Sequence, residues 1–223
     1  MTANPWLLSI HVISLIVWIG NLLALSGLMA FAARQEAPHT LFAFASRGYR
    51  TAVMPAGALA ILTGLLMLHG VGSTNFASVG EAIRHHLFPR TPQAEPSFWY
   101  VTFHVKLVAV TVLFLADLWL GISIGRMARG RNAPAWPLGP LLALTCVLVA
   151  MTTTWLLLSS LGMPQGRQVG FALGFALAVP AFWYGRRMHS PARFDLAGVL
   201  IGALALLIVV LVVAKPLAYG APL

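Results

Sequence analysis

Six stretches of this chain are apolar for about twenty residues or more, the length a helix needs to cross a bilayer core roughly 30 Å thick. They fall at about residues 5–33, 50–70, 98–125, 137–161, 167–185 and 195–218. In hydrocarbon every backbone N–H and C=O must find its partner within the protein, which only helices and closed barrels achieve. The residue alternation of a membrane β-strand is absent, so the expected fold is all-α, a polytopic membrane bundle of about six transmembrane helices. Composition agrees. Charged residues make up 9% of the 223 and the mean hydropathy is +0.86, whereas a soluble domain needs roughly 25% charged residues to cover its surface. Pro137, Pro140 and Pro164 punctuate helix ends, while Pro55 and Pro180 lie inside apolar runs and predict kinks.

The net charge of +9 is a matter of topology, and it gives no reason to expect nucleic acid. Arg34, Arg47 and Arg50 lie in the first connection, Arg126, Arg129 and Arg131 in the third, and Arg186, Arg187 and Arg193 in the fifth. The second and fourth hold only Arg84, Arg90 and Arg167. The positive-inside rule then makes the odd connections cytoplasmic and puts both termini outside, as in a multi-pass protein of a cell inner membrane. "MTANPWLLSIH" lacks the basic start of a cleaved signal, so the first span is expected to be retained. The single cysteine, Cys146, excludes internal disulfides, CxxC metal sites and covalent haem attachment through C-x-x-C-H. No H-E-x-x-H or phosphate-loop pattern occurs. The only long connection, 71–97, is placed outside, and its His85–His86 pair is read as solvated loop. Gly166, Gly170 and Gly174, and Gly198 with Gly202, have the spacing that lets membrane helices approach closely.

Ionisable side chains inside spans are where function is expected. His11 lies five residues after Trp6 and His104 five residues after Trp99. If the tryptophans mark the interface, both imidazoles sit about 7.5 Å below it on two helices that start on the same side. Two histidines at one depth suit axial ligation of a haem iron, and also suit hydrogen bonds that only fix packing. His69, beside Gly70, is read as interfacial. Lys106 has no carboxylate in its own leaflet half, which suggests an anionic ligand such as a propionate. Asp117, eleven residues on and about 16 Å deeper, is expected to pair with Arg50. His11, Ser14, Trp18 and Asn21 share one helix face. There Trp18 stacks on a planar ligand and Asn21 hydrogen-bonds it, or the face is an interhelical polar seam.

The segments "IHVISLIVWIGNLLAL" (10–25), "SRGYRTAVMPAGALAILTGLLML" (46–68) and "WYVTFHVKLVAVTVLFL" (99–115) resemble the small membrane protoporphyrinogen IX oxidases of the HemJ type. They also resemble the related copper-resistance CopD-like domain. The H-x-K-L element, His104 to Leu107, is the most specific part of the resemblance, which covers residues 5 to about 120. It implies a haem-binding-like three-helix core over 1–125 with three further helices of the same bundle over 126–223. It further implies haem b held by His11 and His104, and oxidation of protoporphyrinogen IX with electrons passing to quinone or a respiratory partner. Lys106 and Arg50 would be catalytic and would meet porphyrin carboxylates, a task that suits a guanidinium. Two other expectations stand beside this one. One is a CopD-like copper-handling or transport protein; the other is a haem-carrying or structural subunit, as a homo-oligomer or in a larger membrane electron-transfer complex.

Overall fold

A computed structural model describes residues 5–35, 39–72, 98–134, 137–161, 163 and 165–217. The helices are α1 (Pro5–Ala32), α2 (His39–Gly48), α3 (Met54–Gly72), α4 (Phe98–Met127), α5 (Leu138–Ser160), α6 (Gly166–Arg187) and α7 (Ser190–Leu217). A π-helical turn, Tyr49–Val53, joins α2 to α3. No strand occurs among the described residues, and six helical spans there are long and apolar enough to cross a membrane. The protein is thus an all-α multi-pass bundle in contact with lipid.

The second span differs from its sequence reading. Arg47 and Arg50 lie in helix and not in a connection, because the span begins at His39 and runs through the π-turn as one segment. Pro55 explains the turn. It has no N–H to give the carbonyl one turn back, and its ring crowds that carbonyl. The chain answers by widening: the Met54 N–H bonds the Tyr49 carbonyl, five residues earlier. At Pro180 the helix assignment of α6 continues unbroken.

α7 is central to the bundle although last in sequence. It packs against α1, α4 and α5. Its buried residues Phe194, Ala197, Ile201, Leu204, Ile208 and Leu211 recur at alternating steps of three and four, the spacing of a supercoiled helix seam. Ala109, Val112, Ala116 and Trp119 do the same on α4. Gly198 lets α7 close on α1, since a Cβ there would lie 2.9 Å from Ser26 Oγ.

α5 and α6 form a tight hairpin at the side of the bundle. Lipid tails are as apolar as leucine, so close backbone contact has to hold such a pair. The glycine ladder supplies it: Gly166 faces Leu158 and the backbone of Trp155, Gly170 the backbone of Met151, and Gly174 the backbone of Val147. Gly185 meets Gly139 in the same way at the other end.

The arginine-rich end is stitched by the residues that sequence alone reads as topological signals. Arg34 forms an ion pair with Asp195, joining the end of α1 to the start of α7. α4 ends in a Schellman motif, with Gly130 at φ 71°, its N–H on the Met127 carbonyl and the Arg131 N–H on the Arg126 carbonyl. Arg193 reaches from α7 to donate to the Ala133 carbonyl at 3.1 Å, and Trp119 Nε1 donates to the Pro134 carbonyl at 2.8 Å.

Candidate functional site

α1 runs antiparallel to α3, and two bulky side chains of the one lie over two glycines of the other. His11 and Trp18 are seven residues apart on α1, as are Gly57 and Gly64 on α3. A Cβ on Gly64 would sit 3.1 Å from His11 Cε1, and one on Gly57 would sit 2.9 Å from Trp18 Nε1. Each glycine therefore makes room for one ring, and the two rings head two polar groups at different depths.

The first group centres on His11, which is half-buried. Its Nδ1 lies 3.0 Å from Thr63 Oγ1. That hydroxyl also lies 2.7 Å from the carbonyl of Leu59 and 3.2 Å from that of Ala60, and the Ala60 backbone is itself a hydrogen-bonding partner of the ring. These contacts orient the imidazole, as outer partners orient a metal-ligating histidine. Lys106 of α4 lies within electrostatic reach of this ring. Ser14, one turn below, is buried and donates to the His11 carbonyl at 2.9 Å.

The second group lies about 10 Å further toward the arginine-rich end, seven residues down α1. Trp18, 1% exposed, donates from Nε1 to Asp117 Oδ2 at 2.9 Å. Asp117 is 4% exposed, and its Oδ1 is buried with no hydrogen-bond partner. Tyr49, on the π-turn, donates to the Asp117 backbone carbonyl at 3.3 Å. Its ring fills the space over Gly121, where any Cβ would overlap it.

This geometry corrects one expectation. Asp117 does not pair with Arg50: its hydrogen-bonding partner is Trp18, Arg50 is exposed, and the ion pair found among the described residues is Arg34–Asp195. Asn21 donates to the Val17 carbonyl of its own helix at 2.7 Å, and Trp18 is enclosed against Gly57. On the shared face of α1, Ser14 bonds within its own helix while Trp18 reaches across to α4. The Trp18–Asp117 bond ties α1 to α4.

The side chains of His104 and His69 lie outside the described residues, as do His85, His86, Arg84 and Arg90. Of the remaining candidates, the structure brings His11 and Lys106 together and puts Arg50 in the π-turn, thirteen residues along the second span from Thr63. Thr63, Tyr49, Gly57, Gly64 and Gly121 were not singled out from sequence. Matched seven-residue spacings of ring-bearing residues and glycines on consecutive spans would have pointed to two of these glycines.

Among the described residues no three of His, Cys, Asp and Glu gather into a metal-binding cluster. The donor chemistry available is one imidazole, with an ammonium nearby, which fits an iron that brings its own macrocyclic ligands. Beside it, Ile10, Ile13, Ser14, Val17, Ala56 and Leu59 line an apolar groove of about 210 Å³ between α1 and α3. That is below the roughly 300–1,000 Å³ of a small-molecule site, so the fit to haem rests on His11 and not on the groove. Comparison with models of known protein families, with curated proteins and with solved structures finds no match to this chain.

Proposed function

We propose that the protein is an integral haem-b protein of a cell inner membrane, an oxidoreductase of the protoporphyrinogen-oxidase type that passes electrons to quinone or a respiratory partner. The observation that supports this reading is the placement of His11: an imidazole in the apolar part of a bundle, oriented by Thr63 3.0 Å from its Nδ1. His11 would hold the iron, with His104 as the second imidazole of the resemblance. Bound haem would supply one-electron redox chemistry. Thr63 orients the imidazole, Gly64 gives it space, and the Lys106 ammonium offers a counter-charge for a propionate. Arg50, at the π-turn, would meet an anion arriving from the arginine-rich end.

An absorption spectrum of the detergent-purified protein tests the first step. A Soret band with reducible α and β bands is the expected result, and a colourless protein purified under haem-replete conditions overturns the reading. His11→Ala should lose the haem. Thr63→Val should retain it with a weakened and shifted spectrum, because the imidazole loses the hydroxyl that orients it; such outer partners typically change metal affinity about 10–100-fold. Rescue of a strain deficient in protoporphyrinogen oxidase then decides the substrate. Haem binding without rescue would leave a haem-carrying subunit.

A further inference from the structure

We propose that Asp117 is a proton-binding site inside the bundle, a carboxylic acid that carries its proton on Oδ1 at neutral pH. Three observations carry this. The side chain is 4% exposed and lies within a membrane span, where an ionised carboxylate is costly unless a cation or several donors meet it. The donors that meet it are neutral: the Trp18 N–H on Oδ2, and the Tyr49 hydroxyl beside it. Oδ1 is buried and unpartnered, and no ion pair to Asp117 occurs among the described residues. A structural anion would be built the other way round, with donors on both oxygens.

The surroundings reinforce the assignment. From the second span the ionisable group that faces Asp117 is Tyr49, whose neutral hydroxyl lies 3.3 Å from the backbone carbonyl of the same residue and also bears on its carboxyl. α1 brings Trp18 and carries its one ionisable residue, His11, seven residues away. α7 has no ionisable residue between Asp195 and Lys215, and α5 has only Cys146. On α4 itself the nearest are Arg126 and Lys106, nine and eleven residues off. Among the described residues nothing in this shell pairs a positive charge with it, so the proton itself neutralises the group. On the π-turn, Tyr49 is half-buried and Arg50 exposed. The inference does not rest on haem.

Only two aspartates exist in the chain, Asp117 and Asp195, so labelling every aspartate carboxyl with carbon-13 gives two signals. In the full-length protein reconstituted in phosphatidylcholine vesicles at neutral pH, Asp195, exposed and paired with Arg34, should report a carboxylate. The second signal should report a protonated acid, with an isotope-shifted C=O stretch in the infrared. Asp117→Asn should delete that signal; should this variant fail to fold, Asp195→Asn leaves Asp117 as the sole label and must retain it. Trp18→Phe should keep the acid protonated but raise its C=O stretching frequency, since the carbonyl loses its donor. Two ionised carboxylates in the unmutated protein overturn the proposal, as does a protonated signal that disappears with Asp195→Asn.

Discussion

Gly170→Ala adds a single methyl group at the closest point of the α5–α6 hairpin, and the structure sets what it should do. The new Cβ would lie 2.7 Å from the Met151 carbonyl oxygen and 2.9 Å from its Cα, whereas ordinary contact begins at 3.4 Å. Both atoms are backbone, so no side chain can swing aside and the helices must part by about 0.7 Å at this step. The movement also loosens the glycine steps on either side, Gly166 and Gly174. Overpacking of this kind costs about 1–3 kcal/mol, while replacing glycine by alanine in a helix returns up to about 1 kcal/mol. Gly27→Ala provides the control, because nothing lies within 4 Å of its added methyl; it should be neutral or slightly stabilising. The two variants should therefore differ by about 1–3 kcal/mol. Cys146, the only cysteine, is half-buried on α5 beside Val147, which faces Gly174. Its reaction with a thiol-reactive fluorophore on heating in detergent reports opening of the hairpin. Gly170→Ala should label several degrees below Gly27→Ala. Equal labelling temperatures would refute the view that backbone contact, and not general apolarity, holds this pair.

Gly121→Ala should expel the Tyr49 ring, which occupies the space of the new methyl, and destabilise the protein by about 1–3 kcal/mol in the same assay. Tyrosine fluorescence quenched from the aqueous side should rise with it. Arg34→Ala removes an ion pair whose partners are 54% and 49% exposed, so it should change stability by less than about 1 kcal/mol at moderate salt, by denaturant titration. In a Cys146→Ala background, Gln35→Cys should react with a membrane-impermeant maleimide only from the cytoplasm and Gln165→Cys only from outside; the reverse pattern would overturn the orientation drawn from the arginines.

The helices were legible because length and apolarity are written locally: α1 and α6 differ from their sequence bounds by no more than two residues. Pro55 announced a distortion, but its form, a widened turn absorbing one extra residue, depends on how the chain answers the missing N–H. The polar residues inside the spans were equally visible as candidates. Their partners were not. Opposite charge suggested Arg50 for Asp117, yet the neutral Trp18 N–H takes that place because α1 brings it there while the arginine side chain stays exposed. Register between helices arises from such side-chain contacts, and no count from a helix end reveals it. Thr63 was passed over for a related reason. A threonine in an apolar run looks like any other until the helix opposite shows what faces its hydroxyl.

The widened turn at Tyr49–Val53 has a consequence for how one helix serves two masters. Each residue advances a helix by about 100°, so one supernumerary residue turns everything before it by roughly that angle relative to everything after. Below the insertion, the second span aims Tyr49 at α4; above it, the same span aims Thr63 and Gly64 at α1. Excise one residue there and a straight rod would satisfy one neighbour while presenting its other contact surface to the acyl chains. The protein's two polar centres coexist because the rod between them is wrung.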